Sequence, residues 1–241
     1  VGGDTIKRSV LVPPGASPHT YEPTPNQLAE ILTADALVIT GTAVEFEVAW
    51  LDRIKSLNTE LVIIDLSKDI DLINIADESI SDPHIWLSPR NLGQMVSTLA
   101  IALSEIDLER SSFYQQQLAT LLIELERIDE AISEQLVSQN KNTLLVYHDA
   151  WGYFARDYNL DLLEIENLGK EPTAKALSAI IKEALEKEIQ FIFASPEFST
   201  QSAKVIADQI GAKVITISPL SENLLESLQD VAKIFQDTLS T

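Results

Sequence analysis

From Asn91 to Gln139 the chain runs without a proline or a strand signal, and Gly93 is its one glycine there. Within this stretch Leu118, Leu121, Leu122, Leu125, Ile128 and Ile132 recur at spacings of three and four, with glutamates and glutamines between them. That is the period of an amphipathic helix, and its length exceeds what one ordinary domain helix needs. It predicts a long connecting helix over 108–139, with a break around Glu105–Leu108. The helix would join an N-terminal α/β lobe (1–107) to a C-terminal α/β lobe (140–241). A helical hairpin inside a single domain is the competing reading, since 241 residues suit either one large domain or two of ordinary size.

On both sides of that stretch, short apolar runs alternate with helical patterns. Strands are expected at Ser9–Val12, Ala36–Thr40, Leu61–Leu66, Thr143–His148, Leu162–Ile165, Phe191–Ala194 and Lys213–Ile217. These runs are continuous and rich in Val, Ile and Leu, as in parallel strands covered on both faces. Helices are expected at Thr24–Thr33, Ala43–Leu57, Thr173–Lys187 and Thr200–Ile210, with Glu171-Pro172 as a start signal for the third. The fold class is α/β: two lobes, each a mostly parallel sheet flanked by helices, joined by one long helix. The acidic segment Ser67–Asp82 reads as a surface loop.

The charge balance narrows the partners. Lysine plus arginine total 17 and aspartate plus glutamate total 37, a net charge of −20, which repels nucleic acid and anionic membrane surfaces and attracts cations. No apolar run reaches the roughly 18 residues that span a bilayer. The absence of cysteine excludes thiolate zinc sites, thiol catalysis and disulfides together. Transition-metal chemistry is thereby left to carboxylates and three histidines, His19, His84 and His148.

Each histidine has a distinctive setting. His19 lies in the stiff Val12-Pro-Pro-Gly-Ala-Ser-Pro-His-Thr-Tyr-Glu-Pro-Thr-Pro25 segment after the first expected strand. His84 is bracketed by prolines in Asp82-Pro-His-Ile-Trp-Leu-Ser-Pro89, and His148 closes a strand ahead of Asp149-Ala-Trp-Gly-Tyr-Phe154. Ligands of open α/β sheets collect at the carboxyl ends of strands, and three neutral imidazoles make most of a tetrahedral zinc site. Asp82 and Asp149 are the nearest carboxylates that could accept the second ring N–H. A lone histidine beside a turn is nevertheless more often a hydrogen-bonded structural residue than a ligand. Separations of 65 and 64 residues say nothing by themselves about proximity. Trp86 and Trp151, which adjoin two of the histidines, read as hydrophobic wall.

Taken together, Pro13-Pro-Gly-Ala-Ser-Pro-His-Thr-Tyr-Glu-Pro23, Asp82-Pro-His-Ile-Trp-Leu-Ser-Pro89 and His148-Asp-Ala-Trp-Gly-Tyr-Phe154 resemble the zinc- and manganese-binding solute-binding proteins of ABC importers, the group often called cluster A-I. Glu171-Pro-Thr-Ala-Lys175 and Phe193-Ala-Ser-Pro-Glu-Phe198 continue the resemblance along nearly the whole chain. The resemblance implies two lobes on one long helix with the metal in the cleft between them. It implies a monomeric receptor in the periplasm or on the outer face of the cytoplasmic membrane, often lipid-anchored, that serves an ABC importer permease. It places His19, His84 and His148 on three metal-ligand positions. A histidine at the third position is usual in zinc binders, where manganese binders commonly carry glutamate, so Zn2+ is the expected cargo and Mn2+ the lesser candidate. The family's first strand and helix would precede Val1, and the abrupt start suggests an earlier segment.

One position departs from the family pattern. Where many members carry an acidic fourth ligand, this chain has Ile217-Ser218-Pro219-Leu220. Serine is a poor zinc ligand, which leaves the fourth position to water, Glu197 or another carboxylate. Two further functions compete with transport. Three histidines and a water also make a hydrolytic zinc site, with Glu197 as general base, although no H-E-x-x-H helix is present. A receptor for a chelated metal complex would use the same architecture. No G-x-S-x-G elbow, phosphate loop or dinucleotide fingerprint points elsewhere.

Overall fold

Runs of Val, Ile and Leu that are apolar on both faces favour parallel pairing under helices. These runs do pair in parallel, but Val38 and Val62 of the first sheet stay 45% and 43% exposed, so that sheet is not covered on both faces. The computed structural model describes all residues except 14, 19, 76–79, 138, 140, 167–170, 198–200 and 241. The chain divides into two compact units, Val1–Arg127 and Ile128–Thr241.

In the first unit, α1 (Pro25–Ile31), β1 (Ala36–Ile39), α2 (Glu45–Leu57) and β2 (Val62–Asp65) follow one another. β1 and β2 are parallel, with Ala36 opposite Val62 and Ile39 opposite Asp65. Ile31, Ile54 and Leu61 form the buried nucleus between them, with Leu28, Leu37 and Ile63 packed against it. α1 starts on a capping box: the Thr24 side chain accepts from the Gln27 N–H, and the Gln27 side chain accepts from the Thr24 N–H at 2.9 Å.

The strand expected at Ser9–Val12 does not form. Its carbonyls find a side chain instead of a neighbouring strand, because Gln27 Nε2 donates to Leu11 O at 2.6 Å and Val10 is 64% exposed. The acidic loop expected at Ser67–Asp82 contains a small antiparallel pair, β3 (Asn74–Ile75) with β4 (Ile80–Ser81). Its tip, 76–79, lies outside the described residues.

α3 (Pro89–Ile106) and α4 (Ser111–Leu136) occupy the stretch read as helical, and a 3-10 turn at Leu108–Arg110 forms the expected break. Asp107 holds that break. Its carboxylate accepts from Arg110 Nη1 at 2.5 Å, from the Arg110 N–H at 3.2 Å and from the Tyr114 hydroxyl at 3.1 Å. The side-chain bond from Arg110 leads in keeping this carboxyl below its ordinary value. Along α4, Tyr114, Leu125, Ile128, Ile132 and Leu136 are buried, whereas Leu122 turns outward. The boundary between the two compact units falls within α4.

In the second unit, β5 (Thr143–Val146), α5 (Gly152–Tyr158), β6 (Asp161–Glu164), α6 (Ala174–Glu186), β7 (Phe191–Ala194), α7 (Gln201–Ile210), β8 (Lys213–Thr216) and α8 (Leu224–Leu239) alternate. The four strands are parallel in the order β6-β5-β7-β8. Thr173 caps α6, so Pro172 stands just outside its first turn. α8 was not anticipated in the sequence. Its Leu228, Val231, Ala232, Phe235 and Leu239 are buried at helical spacing. Phe235 is 0% exposed and meets Trp151, Phe154 and Phe193 edge-on at centroid distances of 5.7, 5.6 and 4.9 Å. Phe235→Ala is expected to cost about 3–5 kcal/mol through lost burial and a residual cavity. A chemical-denaturation midpoint close to wild type would contradict that placement.

Candidate metal centre

Parallel strands deliver all their carboxyl ends to one edge of a sheet, and a ligand site forms where the strand order reverses. In the second unit β5 leads to β6 on one side, and the chain then steps back across β5 to reach β7. The reversal therefore lies between β5 and β7. The register pairs Val146 with Glu164 and with Phe193. His148, Glu166 and Ser195 each stand two residues past that row, and pairing continues into it, with Tyr147 N–H donating to Phe193 O at 2.8 Å and Glu166 N–H to Tyr147 O at 2.9 Å.

This register explains the environment of His148. Its ring is 5% exposed, and Nδ1 lies 3.1 Å from Glu166 Oε2 and 3.5 Å from Asp149 Oδ1. Glu166 is the nearer carboxylate, and the sequence reading missed it. Its only signal was a place at the end of an expected strand, since nothing in a sequence states which strands are neighbours. A proton on Nδ1 facing this carboxylate puts the ring lone pair on Nε2, the nitrogen a metal would take. Three residues after His148, Trp151 packs into the aromatic cluster, which makes it hydrophobic wall and anchors the start of α5.

The neighbouring loops carry Ser218, at the position where the resemblance implies an acidic ligand. Ser218 donates to one oxygen of Glu197 and Ser195 to the other, while Ser218 Oγ accepts the Leu220 N–H at 3.1 Å. Ser218 thus brings no charge of its own but holds a carboxylate that arrives from the β7 end. Tyr147 has its ring in the core and its hydroxyl donating to Glu171 Oε1 at 2.7 Å, with Ser202 donating to the same oxygen at 3.2 Å. Burial, followed by the bond to Glu171, pushes the phenol up to about 12.

In the first unit His84 is 3% exposed, and its Nδ1 lies 2.8 Å from Asp82 Oδ1. The same oxygen accepts the His84 backbone N–H at 2.9 Å, so one carboxylate fixes both ring and backbone. Trp86 meets the imidazole edge-on at 5.4 Å. The turn is secured from below: Ser88 caps α3 by accepting the Asn91 N–H at 3.0 Å, and Asn91 Nδ2 donates to Ile85 O at 3.1 Å.

The loop after β1 lies against this turn. Glu47 of α2 accepts the Thr40 and Gly41 N–H groups at 2.7 and 3.0 Å, and burial, outweighing those bonds, raises its carboxyl above the ordinary value. Gly41 has a φ of +74°, and a Cβ there would fall 1.7 Å from Asp65 Oδ1, so both backbone and space require glycine.

His19 lies outside the described residues. Its flanks are tied down: Thr20 N–H donates to Ser17 O at 3.2 Å, and the Tyr21 hydroxyl donates to Gln27 Oε1 at 2.8 Å. The structure places His84 in the first unit and His148 in the second, each backed by a carboxylate. Among the described residues, no three His, Asp or Glu side chains form a group able to hold a metal ion. Also among them, no helix is long and apolar enough to cross a membrane.

The raised Tyr147 phenol has a testable consequence. Folding favours its neutral form, so the stability it contributes is full below about pH 10 and is lost as pH rises toward about 12. Urea unfolding at about pH 8 and about pH 11 should show a smaller alkaline loss for Tyr147→Phe than for wild type.

Residues 1–240 match the family described as zinc-uptake complex component A, periplasmic (ZnuA). The high-affinity zinc uptake system protein ZnuA of Bacillus subtilis (strain 168) is 27% identical over 238 residues, spanning 92% of this chain and 73% of that protein. The zinc-binding protein AdcA of Streptococcus pyogenes serotype M6 is 26% identical over 97% of this chain, which spans 50% of AdcA. A crystal structure of ZnuA superposes with a TM-score of 0.94 at 38% identity, covering 99% of this chain and 92% of that one.

Proposed function

Because this chain belongs to the ZnuA family of periplasmic zinc-uptake components, we propose that it captures one Zn2+ on His19, His84 and His148 and hands it to the membrane permease of an ABC importer. The observation that carries this reading is the pair of buried imidazoles, each with Nδ1 against a carboxylate, a contact that favours a proton on Nδ1 and leaves Nε2 to the metal. Neutral nitrogen donors suit zinc, whereas manganese favours oxygen-rich sites. Three imidazoles supply most of a tetrahedral shell without thiolates.

Membership of this family makes the chain a binding component and not an enzyme, so the hydrolase alternative falls away, as does the receptor for a chelated complex. It works outside the cytoplasmic membrane. We read it as a monomer with no nucleic-acid partner, in keeping with its net charge of −20.

Competition against a chromophoric chelator should give one zinc per chain. His84→Ala and His148→Ala should each weaken binding more than the roughly 10–100-fold typical of losing an orienting partner. Affinity should also fall between about pH 7.5 and about pH 5, because free imidazole protonates near about 6.5 and only the neutral ring coordinates. Unchanged affinity in either alanine variant would sink the three-histidine reading.

A further inference from the structure

His84 sits on a turn whose backbone is braced by a second element. The Pro83 carbonyl, immediately before His84, accepts the Ile85 N–H at 2.9 Å and also the Thr42 hydroxyl at 3.2 Å. Thr42 is 9% exposed and 41 residues away in sequence, and its single hydroxyl proton is shared between Pro83 O and Thr40 Oγ1 at 3.1 Å. The position of Thr42 is fixed from both sides. Glu47 grips the Thr40 and Gly41 N–H groups from α2. From the end of β2, the one Ser67 hydroxyl proton is shared between Gly41 O at 3.1 Å and Asp65 Oδ1 at 2.7 Å, and Asp65 Oδ1 also accepts the Ser67 N–H at 2.9 Å. Gly41, with its positive φ, lets the loop pass close against Asp65.

From this arrangement we propose that Thr42, held by Glu47, is a positioning residue for His84, fixing the backbone from which the imidazole reaches its metal. Asp82 settles which ring nitrogen carries the proton, and Thr42 settles where the ring stands. The two constraints are distinct. Asp82 is part of the same turn and moves with it, whereas Thr42 ties that turn to the β1–α2 framework. A buried hydroxyl facing a carbonyl is costly to remove, because the carbonyl is left with one partner fewer. Gly41 supplies the positive φ and the missing Cβ that let the loop keep this path beside Asp65.

This inference rests on the reading of His84 as a zinc ligand, and the experiment separates the two. Zinc affinity is measured by chelator competition for wild type, Thr42→Val, Thr42→Ser, Glu47→Gln and His84→Ala, alongside the 15N shifts of the His84 ring in the metal-free protein. Thr42→Val keeps the shape and removes the hydroxyl; it should weaken binding about 10-fold, in the range expected of a group acting through a ligand. It should also shift the His84 ring signals, and Thr42→Ser should restore both. Glu47→Gln should weaken binding in the same direction, since an amide cannot accept from both N–H groups with both of its ends. Wild-type affinity in Thr42→Val, beside a large loss in His84→Ala, would overturn the positioning role while leaving the ligand reading intact. Equal losses in Thr42→Val and Thr42→Ser would also overturn it, because the hydroxyl would then not be the cause. No loss in His84→Ala would remove the ligand reading and this one with it.

Discussion

An imidazole gives one nitrogen to a metal most effectively when the other is committed to an acceptor, and the two described histidines meet that condition by different routes. Asp82 reaches His84 from two residues upstream within a single turn. Glu166 reaches His148 from eighteen residues downstream because parallel pairing sets the two side by side. Burial of both rings strengthens these contacts, since the carboxylates are poorly screened by water.

Sheet topology is what makes the second route possible. With β5 in the interior of the order β6-β5-β7-β8, the residues just past its end have neighbours on both sides. Glu166 comes from one flank, and Ser195 with Glu197 from the other. Ser218, beyond β8, then engages Glu197. The Ser218 hydroxyl is thus accompanied by a carboxylate from the segment that follows the adjoining strand, β7.

Much of this was legible in the residues, and the misses have physical causes. The expected strands from Ala36 onward appear within a residue or two of their bounds, because continuous Val/Ile/Leu runs flanked by helical patterns have few other ways to bury most of their apolar side chains. Ser9–Val12 has the composition of a strand, but Gln27 takes its carbonyls, and composition cannot say whether a run will find a pairing partner. β3 and β4 are two residues each, too short for a period to show. Asp82 could be named beforehand because its contact is local. Glu166, Thr42 and Glu47 could not, since their roles depend on register and on contacts across the loop after β1. The two ways of holding a histidine show this difference most clearly.

Those two ways leave the halves of the chain unequally open to change. At His148 the main-chain ladder does the holding, so side chains at the strand ends, Ser195 and Ser218 among them, can be exchanged while the scaffold beneath them stays put. At His84 the scaffold is itself a relay of side chains, and among the described residues the sheet behind it has two strands. Substitution is therefore tolerated more easily at the strand ends of the second unit than in the relay that holds His84 in the first.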